Sequence, residues 1–192
     1  MNKWLVVLIV APLIGVACGD KATVGYTGPV HKIVPEEADS IQSLLSEPVD
    51  SGGKLAARVK GKLTAPYMLR FDRPDSPYAE FPRSLHVDFY NDSMQIESKL
   101  DAKYGKYLSN QDKVYLRDSV VVKNILKGDT VHCKDLWWDQ HTERFTTADS
   151  VAIYTPDKIL YGTGMEADQN FRWYTILHMT GTVLNSGANI PK

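Results

Sequence analysis

Between Ile96 and Tyr104 the chain alternates without a break. Ile96, Ser98, Leu100, Ala102 and Tyr104 take every second place, and Glu97, Lys99, Asp101 and Lys103 fill the places between. A strand sends successive side chains to opposite faces, so this segment has one charged face and one mainly apolar face. A helix would scatter the same charges around its circumference. The period recurs in Leu85, Val87 and Phe89 against His86, Asp88 and Tyr90, in Leu63, Ala65 and Tyr67 against Lys62, Thr64 and Pro66, and in Thr175, Leu177, Met179, Gly181 and Val183 as one same-face set. Turn-forming clusters punctuate these runs, among them Asn91-Asp92, Ser109-Asn110-Gln111-Asp112, Lys127-Gly128-Asp129 and Thr155-Pro156-Asp157. Many short strands with turns between them predict an antiparallel sandwich, jelly roll or barrel and no long helix after the first segment.

That first segment is of another kind. After Met-Asn-Lys, Trp4 to Ala17 is uncharged and mostly apolar. The run is shorter than the ~20 residues of a membrane span and suits the apolar part of an export signal. It ends in Gly15-Val16-Ala17-Cys18, small residues before a cysteine, as a lipoprotein signal requires. Residues 1–17 are therefore expected to be a signal peptide and Cys18 the acylated residue, with an uncleaved N-terminal anchor or a plain secretory signal as the alternatives. Residues 18–38 hold Gly19, Gly25, Gly28, Pro29 and Pro35 with no sustained period, and are expected to be a tether. The strand-forming domain is expected over 39–184, with a small polar tail at 185–192. Only one other cysteine exists, Cys133, in Val131-His132-Cys133, which reads as a buried core residue rather than half of a disulfide.

Charge is nearly balanced, 22 Lys and Arg against 23 Asp and Glu, and the basic residues stand beside acids. Clustered cations are what phosphate backbones need, so nucleic acid is excluded as a partner. The five histidines show no metal-binding spacing, and no GxSxG, SxxK, GxGxxG or P-loop is present. No metal, cofactor or catalytic site is expected. Asp139, Glu166 and Asp168 could be paired on paper, but they read as members of solvated strand faces. In Trp137-Trp138 the two rings must face opposite ways. A weak repeat also runs through the chain: Asp118-Ser119-Val120 returns 31 residues later as Asp149-Ser150-Val151, and Thr180-Gly181-Thr182 follows 31 residues on. Such a period implies stacked, similar layers of two or three strands each.

Several segments in order carry a likeness to one family. Pro77-Tyr78-Ala79-Glu80-Phe81-Pro82 leads into Leu85-His86-Val87-Asp88-Phe89-Tyr90. Glu97 to Tyr104, Trp138-Asp139-Gln140 and Leu160-Tyr161-Gly162-Thr163-Gly164-Met165-Glu166-Ala167-Asp168 follow. Over about residues 40–184 the chain resembles LptC, the periplasmic component of the lipopolysaccharide export machine. The resemblance implies a twisted, open antiparallel β-jelly roll, similar to LptA, with an apolar interior groove. It implies no enzyme, but a carrier of lipopolysaccharide, held at the inner membrane, docked on the permease subunits of an ABC transporter and paired through its C-terminal edge with an LptA-like bridge protein. Many family members keep an uncleaved membrane helix, whereas here the short segment ends at Cys18.

The positions expected to line such a groove through lipid acyl chains are Leu63, Ala65, Leu85, Val87, Phe89, Ile96, Leu100, Ala102, Tyr104, Trp138, Ile153, Ala167, Leu177 and Met179. The expected partner edge lies in the last strand, at Tyr174, Thr175, Ile176, Leu177, His178, Met179 and Thr180. From alternation alone the same residues could simply pack on one another, in a structural or interaction lipoprotein with a closed sandwich and no lipid cargo.

Overall fold

The computed structural model of the chain describes residues 34–50 and 55–184. The expected signal segment, Cys18, most of the tether and the tail lie outside the described residues. Those described form eleven strands and no helix: β1 (Glu36–Asp50), β2 (Leu55–Phe71), β3 (Tyr78–Phe81), β4 (Leu85–Tyr90), β5 (Ile96–Ala102), β6 (Tyr104–Leu108), β7 (Lys113–Asn124), β8 (Thr130–Asp139), β9 (Arg144–Tyr154), β10 (Lys158–Asp168) and β11 (Tyr174–Leu184). The first strand thus starts at Glu36, slightly inside the stretch expected to be tether.

All pairings are antiparallel and join the strands into one sheet. β1 runs along one side of β2. The other side of β2 pairs with β4 through Gly61–Thr64 and with β3 through Leu69–Phe71. β5 and β6 continue those two short strands and both pair with β7. From β7 the sheet proceeds through β8, β9 and β10 to β11. Among the described residues β1 and β11 each have one neighbour, so they are its two edges.

The sheet folds over because its ladders are interrupted along one line. Between Arg117 and Val120 of β7 the register with β8 shifts, and Asp118 and Ser119 both have left-handed backbone (φ 64° and 59°). The β8–β9 ladder shifts between Cys133 and Trp137, and β9–β10 between Thr163 and Met165, where Gly164 has φ 73°. The β10–β11 ladder shifts between Tyr161 and Gly162. An extra residue in one strand of a pair bends it and increases its twist. Each long strand therefore bends near its middle. The 31-residue repeat marks this line on every second strand: Asp118-Ser119 on β7, Asp149-Ser150 on β9, Thr180-Gly181 on β11.

Bending brings the two ends of β7 to opposite lips of one opening. Asn124, at its C-terminal end, reaches the loop after β10. That loop is held beside the β8–β9 turn by Gln169 N–H donating to Glu143 O (2.9 Å), and the turn adjoins Asp139, which pairs with Lys113 at the N-terminal end of β7. One wall comprises β4, β5 and the C-terminal part of β7 with its neighbours. The other comprises β6, the N-terminal part of β7, the end of β8 and the start of β9. Side chains meet between them: Phe89 of β4 lies edge-on to Trp138 of β8 (5.1 Å between ring centroids) and to Phe145 of β9 (6.0 Å). Val87, Leu100, Leu116, Val120, Val122, Leu136 and Ile153 complete a core closed to water.

Close approach fixes the β10–β11 edge. A Cβ added to Gly162 would stand 2.2 Å from Ile176 Cγ2 and 2.7 Å from the His178 carbonyl oxygen, whereas one at Gly181 would meet nothing within 4 Å. Gly162→Ala is expected to cost about 1–3 kcal/mol of overpacking and to raise amide exchange across β11, while Gly181→Ala leaves both unchanged. Chemical denaturation together with hydrogen exchange checks the contrast.

Candidate functional site

Among the described residues the buried core lies in the space between the walls, and its lining is apolar because alternation puts every second side chain there. Leu63, Ala65, Leu85, Val87, Phe89, Leu100, Ala102, Trp138, Ile153 and Ala167 are all buried in it. Four expected lining positions behave differently. Ile96 is half-buried at the end of β5. Tyr104 does not continue the inward face of Ala102: the chain breaks alternation at Lys103, whose N–H donates to Asp118 O, so Gly105 turns inward instead. The Tyr104 ring lies under the Arg117 guanidinium, 4.2 Å from its carbon, and burial with the nearby Glu80 pushes the hydroxyl up to about 12. Leu177 and Met179 are exposed, at 60% and 58%. β11 has a neighbour on one side only, and of its side chains Tyr174 and Ile176 pack on the core. The two tryptophans face opposite ways: Trp138 is buried, and Trp137 stacks obliquely on Tyr115 at the surface.

The opening between the lips has two parts. Toward β1 lies a cleft of about 740 Å³ between Leu45–Pro48 on one side and the turn Gln140–Glu143 on the other. Phe89 and Trp138 line it along with Lys60, Glu47, Asp112 and His141, so aromatic rings share it with charged side chains. Lys60 on β2 is 3.6 Å from Glu47 and 3.4 Å from Glu143, and the second contact joins one wall to the other. A second cleft, of about 520 Å³, lies near the bend, beside Ile41, Ala65, Leu85, Ala102 and His86.

Toward β11 the opening is closed by the loop Gln169–Trp173. Phe171 is buried with left-handed backbone (φ 53°) and stacks on Phe145 (5.9 Å). Ser98 Oγ donates to Gln169 O (3.0 Å), Asn124 Nδ2 to Asn170 O (2.6 Å), Trp138 Nε1 to Gln169 Oε1 (3.3 Å), and Lys127 Nζ to Arg172 O (2.5 Å). Asp168 shapes the loop from below. Its carboxylate accepts from Arg172 Nε (2.6 Å) and Trp173 N–H (3.1 Å). It is buried, not a member of a solvated face, and it is not paired with Asp139 or Glu166: Asp139 caps Thr142 N–H, and Glu166 meets Arg144. No buried side-chain polar atom among the described residues lacks a partner.

Ser98, Asn124, Lys60, Glu143 and the 169–173 loop were not expected at the site. One signal was present for Ser98, a hydroxyl in the middle of an apolar face, since such a group needs a buried acceptor. Asn124 and Asn170 sit in turn sequences, where polar residues are expected for local reasons.

The family model for lipopolysaccharide-assembly, LptC-related proteins matches residues 9–185, most of the chain and every strand described above. The chain belongs to the LptC family. Its all-β antiparallel architecture accords with the β-jelly roll of that family, and membership assigns it to lipopolysaccharide transport, in the periplasm at the inner membrane of a Gram-negative cell. Comparison with curated proteins gives no match.

Two titrating groups give this LptC protein measurable signatures. Burial drives the Cys133 thiol up to about 12, aided by Asp135 and Asp149, so it remains protonated in the fold. Burial works to lower His86, but hydrogen bonds to Asp101 (2.7 Å) and Asp88 (3.1 Å) outweigh it, and the net direction is up from 6.5. A group raised in the fold adds stability below its unfolded value and loses it as pH rises through the folded value. His86→Gln is therefore expected to lower the urea midpoint more at pH 5.5 than at pH 8.5. An equal loss at both values would show that the imidazolium pairs contribute nothing.

Proposed function

We propose that this LptC protein accepts lipopolysaccharide from an inner-membrane ABC transporter and passes it to an LptA-like bridge protein, with Cys18 as its membrane anchor. Lipid acyl chains travel in the interior, and the protein catalyses nothing. The observation that carries this reading is an apolar interior reached through a cleft at Phe89 and Trp138, in a sheet whose two edge strands, β1 and β11, each have a single neighbour among the described residues.

The physical need is large. Each buried methylene is worth about 0.8 kcal/mol, so an acyl chain of about 12 carbons holds up to ~10 kcal/mol against exposure to water. A carrier must hold such chains in an apolar place at every step. Free edges supply continuity, since an exposed strand presents unpaired N–H and C=O groups on which a partner's edge can extend the sheet. β11 is the edge for the LptA-like protein, and β1 the edge toward the permease subunits. The exposed side chains Leu177, Met179, Val183 and Leu184 on β11 suit a contact that excludes water.

A closed structural lipoprotein is favoured by one observation: Val87, Leu100, Leu116 and Leu136 are fully covered, so the interior is filled around them. The two readings part in a single experiment. A photo-crosslinking amino acid at Phe89, Leu100 or Ala167, with Lys99 on the outer face as control, is expected to yield lipopolysaccharide adducts at the first three and none at the control. A folded, expressed protein with no adduct at any inward position would favour the closed structure instead.

A further inference from the structure

We propose that the Gln169–Trp173 loop is a lid, and that the Phe171 ring occupies an acyl-chain subsite which the lipid takes over when the lid lifts. The inference rests on the transport reading and assigns that cargo a place.

Four features of the loop carry it. First, Phe171 is placed as cargo would be. Its ring is buried between the lips, stacked on Phe145, which is within 6.0 Å of Phe89 and 6.2 Å of Trp138. The aromatic row Phe171–Phe145–Phe89–Trp138 is continuous with the free cleft at the β1 end. A chain admitted there and extended toward β11 meets the Phe171 ring next.

Second, the ring is held in that position against its own backbone preference. A bulky residue rarely adopts left-handed φ, and such conformations persist only where surroundings enforce them. Glu143, on the adjoining turn, is likewise left-handed (φ 52°).

Third, the lid is fastened by polar contacts in an otherwise apolar interior. Ser98, Asn124 and Lys127 from one wall donate to the carbonyls of Gln169, Asn170 and Arg172. Lys60–Glu143 ties the same lips further along. These groups can be satisfied in a second way. When the lid lifts, the donors Ser98, Asn124, Lys127 and Lys60 come to line the rim above the apolar row, where the hydroxyl, amide and phosphate oxygens of a glycolipid headgroup can accept from them. Headgroup at a donor rim and chains on an aromatic floor is the arrangement an amphiphile needs.

Fourth, the loop can move as a unit. Asp168 holds Arg172 and Trp173 to its carboxylate, and Phe171 N–H donates to Asp168 O (2.9 Å), so the loop keeps its shape when its fastenings to the other wall are released.

The test uses the full-length chain with a photo-crosslinking amino acid at Leu100, incubated with purified lipopolysaccharide. Ser98→Cys with Asn170→Cys places one thiol on each side of the seam, at a pair whose native side chains touch, Ser98 Oγ standing 3.4 Å from Asn170 Oδ1. Oxidised, this pair fastens the lid, and adduct formation is expected to fall at least tenfold and to return on reduction. Phe171→Ala keeps the backbone-mediated fastenings and empties the subsite, so adducts are expected to form several-fold faster. Loading of the oxidised protein at the unlocked rate, or an unchanged rate in Phe171→Ala, would overturn the lid while leaving the carrier reading intact. Absence of adducts in the unsubstituted chain would remove the carrier reading and the lid with it.

Discussion

The whole architecture depends on a line of interrupted backbone pairing. An eleven-stranded antiparallel sheet with regular ladders would twist but would leave one apolar face open to water. Here the ladders lose register in the middle of the strands, at Asp118-Ser119, around Lys134-Asp135, at Gly164 and at Thr180. The sheet folds there and covers its own apolar face. Core burial, the lips and the clefts all follow from that fold line. So does the placement of charge. Residues on the outer face, such as His86, Asp88, Lys99 and Asp101, pair with one another along and across strands, which explains a chain rich in acids and bases with no cluster of either. The exposed pairs among them are worth little to stability, about 0–1 kcal/mol each. Their consequence is register, since slipping one strand by one residue would turn that charged face inward.

The opening is where apolar walls meet water, and its chemistry differs along its length. Near β1 it is a cleft with aromatic rings within and Lys60, Glu47 and Glu143 around them. Near β11 a polar seam of Ser98, Asn124, Gln169 and Asn170 closes it, with every buried side-chain polar atom satisfied. Full satisfaction matters, because an unpaired polar group in this place would cost about 1–3 kcal/mol. The seam is stable when complete and becomes a set of free donors when separated, which suits a boundary that must both seal and part.

Strand content, the antiparallel arrangement and most of the inward, buried face were legible in the sequence, because they rest on a period of two that local residues express directly. Ten of fourteen expected lining positions are buried. The four that are not reveal what alternation cannot carry. At Lys103 the backbone takes one step out of phase, and nothing in Ala102-Lys103-Tyr104 announces it, since the cause is the left-handed pair Asp118-Ser119 on the neighbouring strand. Leu177 and Met179 have the composition of a core strand, but their exposure follows from β11 lying at the sheet's edge, a property of topology. The 31-residue echo was visible without its meaning: it marks bends on alternate strands rather than merely similar layers. The closing loop was hidden for the opposite reason. Asp168-Gln169-Asn170 reads as an ordinary polar turn, and only its contacts with residues 46 and 71 positions away give it a role.

A groove that carries lipid faces a problem when it is empty. Apolar walls held apart in water would expose area at about 25 cal/mol per Å², enough to draw the walls together or to invite aggregation. Complete collapse would stabilise the protein but would leave no space for cargo. The arrangement around Phe171 meets both demands. Burying a phenylalanine ring is worth about 1.5–3 kcal/mol, enough to hold the walls at a fixed separation and to offset a left-handed residue. It remains well below the ~10 kcal/mol that one acyl chain gains in the same surroundings. On the proposed carrier reading, the ring is a sufficient filler in the absence of lipid and a poor competitor in its presence, so that exchange would be driven by the cargo itself.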